Sequence, residues 1–490
     1  MESIGIDMTT DLAPKGDKDI VLVSDLDGTL CKTDTLQEAA LAMISRQPMA
    51  VVKLPGWLKQ GRAALKENIV NQGLLSAETL PMNDDVIAAL KAARAEGRRT
   101  ALVSASDERQ VKAIAEATGL FDEAHGTADG KNLKGEAKAA FLTDHFGAKG
   151  FDYIGDAKAD LPVWAAARRA ITVQAGPDLK KAAEAANPDA EHISPPDGKA
   201  RAVLKAMRPH QWSKNVLLFL PLLAAHDMSR LGPVVLGFIA FCLTASAVYV
   251  INDLLDLAGD RAHPRKSKRP FASGALSGLD GAVLSLGLLL AGLIAGLLVG
   301  NPAFLAVLLV YLTATFAYSL WLKRKLIVDV ITLAGLYTIR ILAGGAAASI
   351  VLSPWILGFG MFLFLSLAAV KRQAELTDQV ETGRASAGRA YQPEDLPVLR
   401  GLAMSAGNAS ILVLALYISS DSVQALYSRP EILWLICPIL LYWVVRMVMQ
   451  THRRQMTDDP IVYAASDRTS VILIAAAGLV ALTATLWPGA

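Results

Sequence analysis

Ile20-Val-Leu-Val-Ser-Asp-Leu-Asp-Gly-Thr29 joins a short apolar, β-branched run to two carboxylates spaced two residues apart. Such a run reads as a strand buried on both faces of a parallel sheet. It places Asp25 and Asp27 at the strand's carboxyl end, where open α/β sheets bind their ligands. An aspartate there can attack phosphorus, and a second can move the proton between attacking and leaving oxygens, provided Mg²⁺ offsets the gathered charge. Alone, the same four residues are equally compatible with an Asp-Gly turn. Three later segments bear on that choice. Thr100-Ala-Leu-Val-Ser-Ala-Ser106 is another strand ending in hydroxyls, Lys134 lies in Asn132-Leu-Lys-Gly, and Phe151-Asp-Tyr-Ile-Gly-Asp156, followed by Asp160, is a third strand ending in carboxylates.

In order and spacing these segments resemble the haloacid dehalogenase (HAD) superfamily of Mg²⁺-dependent phosphohydrolases over essentially all of residues 18–180. The resemblance implies a tail over 1–17 and then an α/β, Rossmann-like domain over 18–185, with a small helical cap at about 35–82 covering the site. It further implies Asp25 as nucleophile, Asp27 as acid/base, Ser104 and Lys134 as phosphoryl ligands, and Asp156 and Asp160 as metal-binding acids beside Asp25 and Asp27.

The rest of the chain reads differently. Over all 490 residues the hydrophobic share is 53% and the charged share 19%, against about 45–50% and 25% in soluble domains. Lys+Arg 48 against Asp+Glu 46 gives a formal charge of +2, so no global imbalance argues for nucleic acid. Cys31, Cys242 and Cys437 are widely spaced, which excludes a disulfide scaffold and a CxxC metal knuckle. Asn187-Pro-Asp-Ala-Glu-His-Ile-Ser-Pro-Pro-Asp-Gly198 reads as an exposed linker, placed at 186–203. Beyond it come apolar stretches at about 204–226, 231–253, 281–299, 302–321, 326–348, 353–371, 398–419, 431–449 and 469–487, nearly all near the ~20 residues a bilayer requires. The first of these nine is the weakest, because its uninterrupted run, Val216 to Ala225, is short.

Charge sets the expected orientation. Arg261, Arg265, Lys266, Lys268 and Arg269 follow the second span, Lys323 to Lys325 the fourth, Lys371, Arg372, Arg384 and Arg389 the sixth, and Arg453 with Arg454 the eighth. The alternate connections hold little beyond Arg230 and Arg429. The expectation is an integral inner (cytoplasmic) membrane protein of nine spans with its C-terminus outside. No basic-then-apolar signal precedes Asp25, so the N-terminal domain is expected in the cytosol, which requires the first segment to cross.

Asn252-Asp-Leu-Leu-Asp-Leu-Ala-Gly-Asp260 follows the second span. Steps of three and four put Asp253, Asp256 and Asp260 on one helix face, where three like charges call for cations. These are either the basic run Arg261 to Arg269 or Mg²⁺, with its preference for oxygen ligands. Acid beside base at a membrane surface suits a diphosphate held through magnesium, with Arg265, Lys266 and Lys268 on the remaining oxygens.

This motif and the nine spans resemble the UbiA superfamily of intramembrane prenyltransferases over about 200–490, implying an all-α, nine-helix bundle at 204–490. Where the aromatic prenyltransferases carry a second aspartate-rich motif, this chain reads Lys371-Arg-Gln-Ala-Glu-Leu-Thr-Asp378, with Lys371, Glu375 and Asp378 on one face. A mixed-charge helix of that kind would hold a lipid monophosphate better than a second metal. Together with Arg208-Pro-His-Gln-Trp-Ser-Lys-Asn215, Tyr337-Thr-Ile-Arg340 and Asp459-Pro-Ile-Val-Tyr-Ala-Ala-Ser-Asp-Arg468, the departure resembles the phosphoribosyltransferase branch. That resemblance implies phosphoribosyl diphosphate as donor, its diphosphate held by Mg²⁺ on Asn252, Asp253, Asp256 and Asp260, and a polyprenyl phosphate as acceptor. Arg208, Gln211, Lys214 and Lys371 are its expected phosphate contacts, and Asn215, Tyr337, Glu375, Asp467 and Arg468 further substrate contacts. Arg340 lies 15 residues beyond Lys325, roughly 22 Å along a helix. It is therefore read as a phosphate ligand, or else as the partner of a buried acid such as Asp329. The competing reading is an aromatic prenyltransferase using a polyprenyl diphosphate. In the favoured one, the HAD domain removes the ribose phosphate of the lipid product. Assembly into a homo-oligomer is left open.

Overall fold

The computed structural model describes residues 17–128, 132–194, 198–382, 390–456 and 459–487. The chain divides into two compact units, Met1–Ala206 with Asp253–Val283, and Met207–Asn252 with Leu284–Ala490. Arg384 and Arg389, counted above toward the orientation, lie outside the described residues.

The first unit is built on six parallel strands, β1 (Val21–Ser24), β2 (Thr100–Asp107), β3 (Glu123–Thr127), β4 (Phe151–Gly155), β5 (Ala170–Val173) and β6 (Glu191–Ile193), in the order β3-β2-β1-β4-β5-β6. Every residue of β1 and β4 is buried, as the near-continuous apolar runs require of strands covered on both faces. One face packs Leu22, Leu26, Leu102 and Ile154 against Val86, Leu90, Val111 and Ile114. The other packs Val21, Val23, Ala101 and Tyr153 against Leu142, Val163 and Trp164. The chain runs outward from β1 to β3 and then returns to place β4 on the other side of β1. This reversal is the switch point at which such sheets open a crevice. Asp25 follows β1, Ser104 lies near the end of β2, and Asp156 follows β4.

Helices α1 (Thr35–Arg46), α2 (Leu54–Lys59) and α3 (Arg62–Val70), with a 3₁₀ segment Pro48–Lys53, are inserted after β1. Asp34 caps α1 by accepting from the Gln37 amide at 3.0 Å, a favourable side-chain cap. The domain's outer helices are α4 (Asp84–Ala95), α5 (Glu108–Thr118), α6 (Glu136–Phe146), α7 (Leu161–Ala166), α8 (Pro177–Ala186) and α9 (Lys199–Met207).

The expected linker at 186–203 is instead part of this fold. β6 pairs with β5 in the register Ile171↔Glu191 and Thr172↔His192, and buried Asn187 donates to the carbonyls of Trp164 and Ala167 at 2.9 and 3.0 Å. A three-residue edge strand with half-exposed side chains carries too little apolar signal to be told from a loop. Pro195 and Pro196 lie outside the described residues.

Residues Asp253–Val283 also belong to the first unit. Arg261 donates to both carboxylate oxygens of Glu38 in α1 at 3.0 and 2.7 Å and to the carbonyls of Thr79 and Ala272 at 2.9 and 3.0 Å. The Gln37 side chain accepts from the Leu279 amide at 2.9 Å, and Lys205 donates to the Lys268 carbonyl at 2.7 Å.

The second unit is helical. Eight helices among the described residues are long and apolar enough to cross a membrane: Met228–Leu255, Gly278–Leu298, Pro302–Leu320, Val328–Ala348, Pro354–Val380, Pro393–Ile418, Pro430–His452 and Arg468–Leu486. The first expected span, 204–226, is no single helix. After Arg208, which adopts a left-handed conformation, it runs as a 3₁₀ segment Pro209–Phe219 and a five-residue helix α10 (Leu220–Ala224). Pro209 and Pro221 each lack an amide donor. Lys214 and Asn215 are buried, so this segment turns polar groups inward, which an apolar lipid-facing helix would not. It packs close to helix Val328–Ala348, where a side chain on Gly344 would collide with the Leu218 carbonyl.

Candidate functional sites

Asp25 stands at the tip of β1, its Oδ2 accepting from Lys138 Nζ at 2.8 Å. Lys138, in the first turn of α6 and 2% exposed, also donates to the Tyr153 hydroxyl at 2.8 Å. Burial disfavours its charge, but Asp25 and Asp160 together raise its pKa above the ordinary lysine value. Lys134, the expected phosphoryl ligand, is exposed ahead of this helix. The lysine beside Asp25 is therefore Lys138, one turn further on, brought inward with Leu142 and Phe146 on the buried face of α6.

Asp27 Oδ1 accepts from the Thr35 amide at 2.6 Å and Oδ2 from Ser106 Oγ at 2.5 Å, with Ser104 Oγ at 3.4 Å. Ser106, quoted in the strand motif but given no role, is the closer hydroxyl. Burial and the charge of Asp34 raise the Asp27 pKa against these hydrogen bonds.

Asp156 and Asp160 complete the cluster. With Asp25 they bring one carboxylate oxygen each within 4.8 Å of one another. Burial and the neighbouring charges of Asp25 and Asp160 push Asp156 up to about 8, and burial with Asp25 pushes Asp160 to about 6. Three converging carboxyls, all offering oxygen, fit a hard divalent cation such as Mg²⁺. Asp27 was expected among the metal acids, but its carboxylate is turned to Thr35 and Ser106 and lies outside that group. Gly28, at φ 76°, lets the turn pass against Asp156, where any side chain would collide with the carboxylate.

The acidic loop of the first unit departs from the expected single face. Its leading helix, α11 (Leu231–Leu255), ends one residue before Asp256, and α12 (Leu257–Ala262) begins one residue after it. The 3.6-residue phase is broken there. Asp253 and Asp260 are buried, and Asp256 is exposed. Arg269 Nη1 bridges Asp253 Oδ1 at 3.1 Å and Asp260 Oδ2 at 2.6 Å. A positive group therefore already stands where the two acids converge, and an oxygen-only pair of this kind fits a divalent cation. Arg265, Lys266 and Lys268, the expected diphosphate contacts, are exposed, and Asn252 is half-buried. Arg269, read only as one charge in a basic run, is the residue that sequence reasoning passed over.

In the second unit a cluster of basic side chains is organised by Asp459. Its Oδ2 accepts from Lys214 at 2.7 Å and Lys371 at 2.9 Å, and the Tyr337 hydroxyl lies 3.2 Å away. Burial opposes ionisation of Asp459, but the two ammonium groups outweigh it and hold the carboxyl well below its usual range. Arg340 donates to Asn215 Oδ1 at 2.8 Å and to the Tyr311 hydroxyl at 3.2 Å, its guanidinium over the rings of Tyr311 and Tyr337. Asp329 is not its partner: that acid pairs with Arg372, which also holds Glu375. Lys214, Asn215, Tyr337, Arg340 and Lys371 thus meet around Asp459 or one another's partners. Glu375 is instead tied to Arg372. Asp467 caps Arg468–Leu486 through Ser470 and pairs with Arg446 at 2.6 Å, which accounts for it structurally, and Arg468 is exposed. Arg208 stacks on Tyr249, 5.4 Å from the ring centroid, and Gln211 is half-buried. Cys31 and Cys242 are buried, Cys437 is half-buried, and all three are unbridged.

A family model described as the UbiA prenyltransferase family matches residues 216–468, and one described as haloacid dehalogenase-like hydrolase matches residues 22–164. The chain is 36% identical over 461 residues to an uncharacterized protein, y4nM, of Sinorhizobium fredii, covering 93% of this chain and 89% of that one. It is 38% identical over 274 residues to nodulation protein NoeC of Azorhizobium caulinodans, covering 55% of this chain and 89% of that one. It is also 38% identical over 198 residues to decaprenyl-phosphate phosphoribosyltransferase of Mycobacterium tuberculosis, covering 39% of this chain and 65% of that one.

Proposed function

The chain belongs to the UbiA prenyltransferase family and is an enzyme fused to a haloacid dehalogenase-like hydrolase domain, and from that premise we propose that its UbiA-like region transfers phosphoribose from phosphoribosyl diphosphate to a polyprenyl phosphate. The observation that carries this reading is Lys371 beside Lys214 on Asp459. A cation occupies the place where a second metal-binding acid would serve a prenyl diphosphate, and two ammonium groups converging on one carboxylate are suited to a phosphate monoester. The relative named as a decaprenyl-phosphate phosphoribosyltransferase supports the same substrates.

In this reading Lys214, Lys371 and Arg340 bind the lipid phosphate, and Tyr337 and Asn215 fix the cations that do so. Asp253 and Asp260 would hold Mg²⁺, which supplies charge neutralisation for the departing diphosphate. Arg269, released from the two acids, turns to phosphate oxygens. A lipid phosphate oxygen forms the bond to the anomeric carbon as the bond to diphosphate breaks. No proton has to move, so catalysis is positioning and charge stabilisation.

The first unit then removes the ribose phosphate. Asp25 attacks phosphorus while Asp27 donates its proton to the leaving ribose oxygen. Asp27 next takes a proton from the water that opens the aspartyl phosphate, releasing inorganic phosphate. Lys138 and Ser104 take the phosphoryl oxygens, Asp156 and Asp160 with Asp25 would hold Mg²⁺, and the insertion α1–α3 serves as the cap.

The fold also supports the orientation. Residues 253–283 and the HAD domain form one unit, so both lie on one side of the bilayer, assigned as cytoplasmic from the basic connections. In this reading α11 ends on that side and starts on the other, and the broken segment 209–224 is taken as a ninth passage.

The test is mass spectrometry of the lipid formed from Mg²⁺, phosphoribosyl diphosphate and polyprenyl phosphate by the purified chain and by Asp25→Asn. Phosphorylated ribosyl lipid from the variant and dephosphorylated lipid from the wild type support both steps. Phosphorylated lipid from both detaches the hydrolase from this product. No ribosyl lipid, with a prenylated aromatic formed from polyprenyl diphosphate, replaces the reading.

A further inference from the structure

We propose that the α1–α3 insertion of the hydrolase domain docks on the anionic bilayer surface through the segment Met49 to Lys59. Among the described residues of 17–206 the exposed large apolar side chains are Met49, Val51, Val52, Leu58, Leu74 and Leu204. Four of the six fall in ten consecutive residues. Met49 and Val52 are 78% and 70% exposed, which a water-facing surface does not favour and a patch reserved for an interface does.

The charge on the same stretch selects the occupant. From Arg46 to Lys66 the sequence holds five basic residues and no acidic one, and Lys53, between the apolar side chains, and Lys59, directly after Leu58, are exposed. Apolar side chains interleaved with lysines, with the half-buried Trp57 among them, match an interfacial segment at a negatively charged lipid surface, where each cation near the headgroups adds to the attraction.

Chain connectivity supplies the bilayer. The unit that carries this segment also contains Asp253–Val283, whose two ends are parts of the membrane helices Met228–Leu255 and Gly278–Leu298. The domain is thus fastened to the membrane surface at both ends of that loop as well as through α9. The same insertion reaches the phosphoryl site, through the Thr35 amide on Asp27 at 2.6 Å and Lys66 on the Ala105 carbonyl at 2.8 Å. Seating it in the headgroups would present the site to a phosphate carried by a lipid. This extends the reading above, which needs a hydrolase able to meet a membrane-bound product.

The experiment uses the full chain in vesicles of phosphatidylcholine and phosphatidylglycerol, in a Cys437→Ser background, with nitroxide labels on Val52→Cys and Leu58→Cys and on the exposed control Glu96→Cys. Collisions with lipid-soluble oxygen are expected to exceed those with a water-soluble nickel chelate several-fold at 52 and 58, with the reverse at 96. Labels at 52 and 58 that behave like the one at 96 overturn the proposal. So does spin–spin broadening at 52 that disappears on dilution with unlabelled protein, which would put a second copy of the chain on this face. A Met49→Asp/Val52→Asp variant that still hydrolyses p-nitrophenyl phosphate is expected to lose the oxygen preference at 58. The readout needs no lipid substrate, so its failure is distinct from failure of the proposed reaction.

Discussion

Arg261 closes a bidentate ion pair on Glu38, its two terminal nitrogens 3.0 and 2.7 Å from the two carboxylate oxygens, across 223 positions of sequence. Both side chains are nearly buried, at 11% and 6% exposure, and Thr33 Oγ1 donates to the same carboxylate at 2.8 Å. Removing one partner of such a pair strands the other charge and costs about 3–5 kcal/mol, whereas replacing both by apolar groups is often neutral. Arg261→Met and Glu38→Leu are therefore each expected to lower the thermal unfolding midpoint of the first unit, and the double variant to recover most of the loss. Unfolding followed in nanodiscs checks this, and equal losses in all three variants would sink it.

The two candidate lysines separate cleanly. Lys138→Met is expected to reduce hydrolysis of p-nitrophenyl phosphate by about 10²–10³-fold, the usual effect of deleting one charge-stabilising donor. Lys134→Ala is expected to leave it within a factor of about two, since its side chain is exposed and it is Lys138 that donates to Asp25. Steady-state kinetics of the two variants decides between them.

Chelation with EDTA is expected to abolish phosphate hydrolysis, with Mg²⁺ restoring it. Asp156→Asn should need more Mg²⁺ for half-maximal rate than the wild type, because one of three converging oxygen ligands has lost its charge. An unchanged Mg²⁺ requirement in the variant would remove Asp156 from the site.

In the membrane unit, Lys214→Ala and Lys371→Ala each delete one charge-assisted hydrogen bond of about 1.5–3 kcal/mol. The expected outcome is a KM for polyprenyl phosphate raised roughly 10–150-fold at 1.4 kcal/mol per factor of ten, with a smaller change for phosphoribosyl diphosphate. Equal effects on both substrates would place these lysines elsewhere in the reaction.

Asp152 gives the expected acid dependence. Its side chain is fully buried in β4 and takes hydrogen bonds from Arg98 at 2.6 Å and Arg168 at 2.8 Å. Burial alone would raise its pKa, but the two guanidinium groups outweigh that and hold it below the ordinary value. A carboxyl depressed in the folded state adds stability above the unfolded pKa of about 3.9 and loses it as pH falls through the folded value. Asp152→Asn should therefore be less stable than wild type at neutral pH, with the gap closing below about pH 4. Urea unfolding across that range measures it.

Three of the six strands, β1, β2 and β4, were legible because each is a short apolar run that leads into hydroxyl or carboxylate side chains at or near its end. Lys138 was hidden by its neighbour Lys134, although Lys138, Leu142 and Phe146 repeat at four-residue steps and share the buried face of α6. That periodicity was the available signal. The acidic motif was legible as composition but not as geometry, since no local pattern announces that the helix stops at Leu255 and sends Asp256 to solvent. Asp459 was visible only as the first residue of a motif. What makes it the centre of the basic cluster is convergence with Lys214 and Lys371 from distant segments, and pairwise proximity of that kind is invisible in one sequence. The broken segment 209–224 was flagged by its short apolar run, and its two prolines give the reason.

Because Asp253–Val283 is folded into the N-terminal unit, the two catalytic halves are not exchangeable cassettes. A chain cut after Met207 would leave the hydrolase without the partner of Glu38 and the transferase with its acidic motif torn from its support. Recombination between such fusions and free-standing relatives of either half would have to carry that loop along with the hydrolase it is built into.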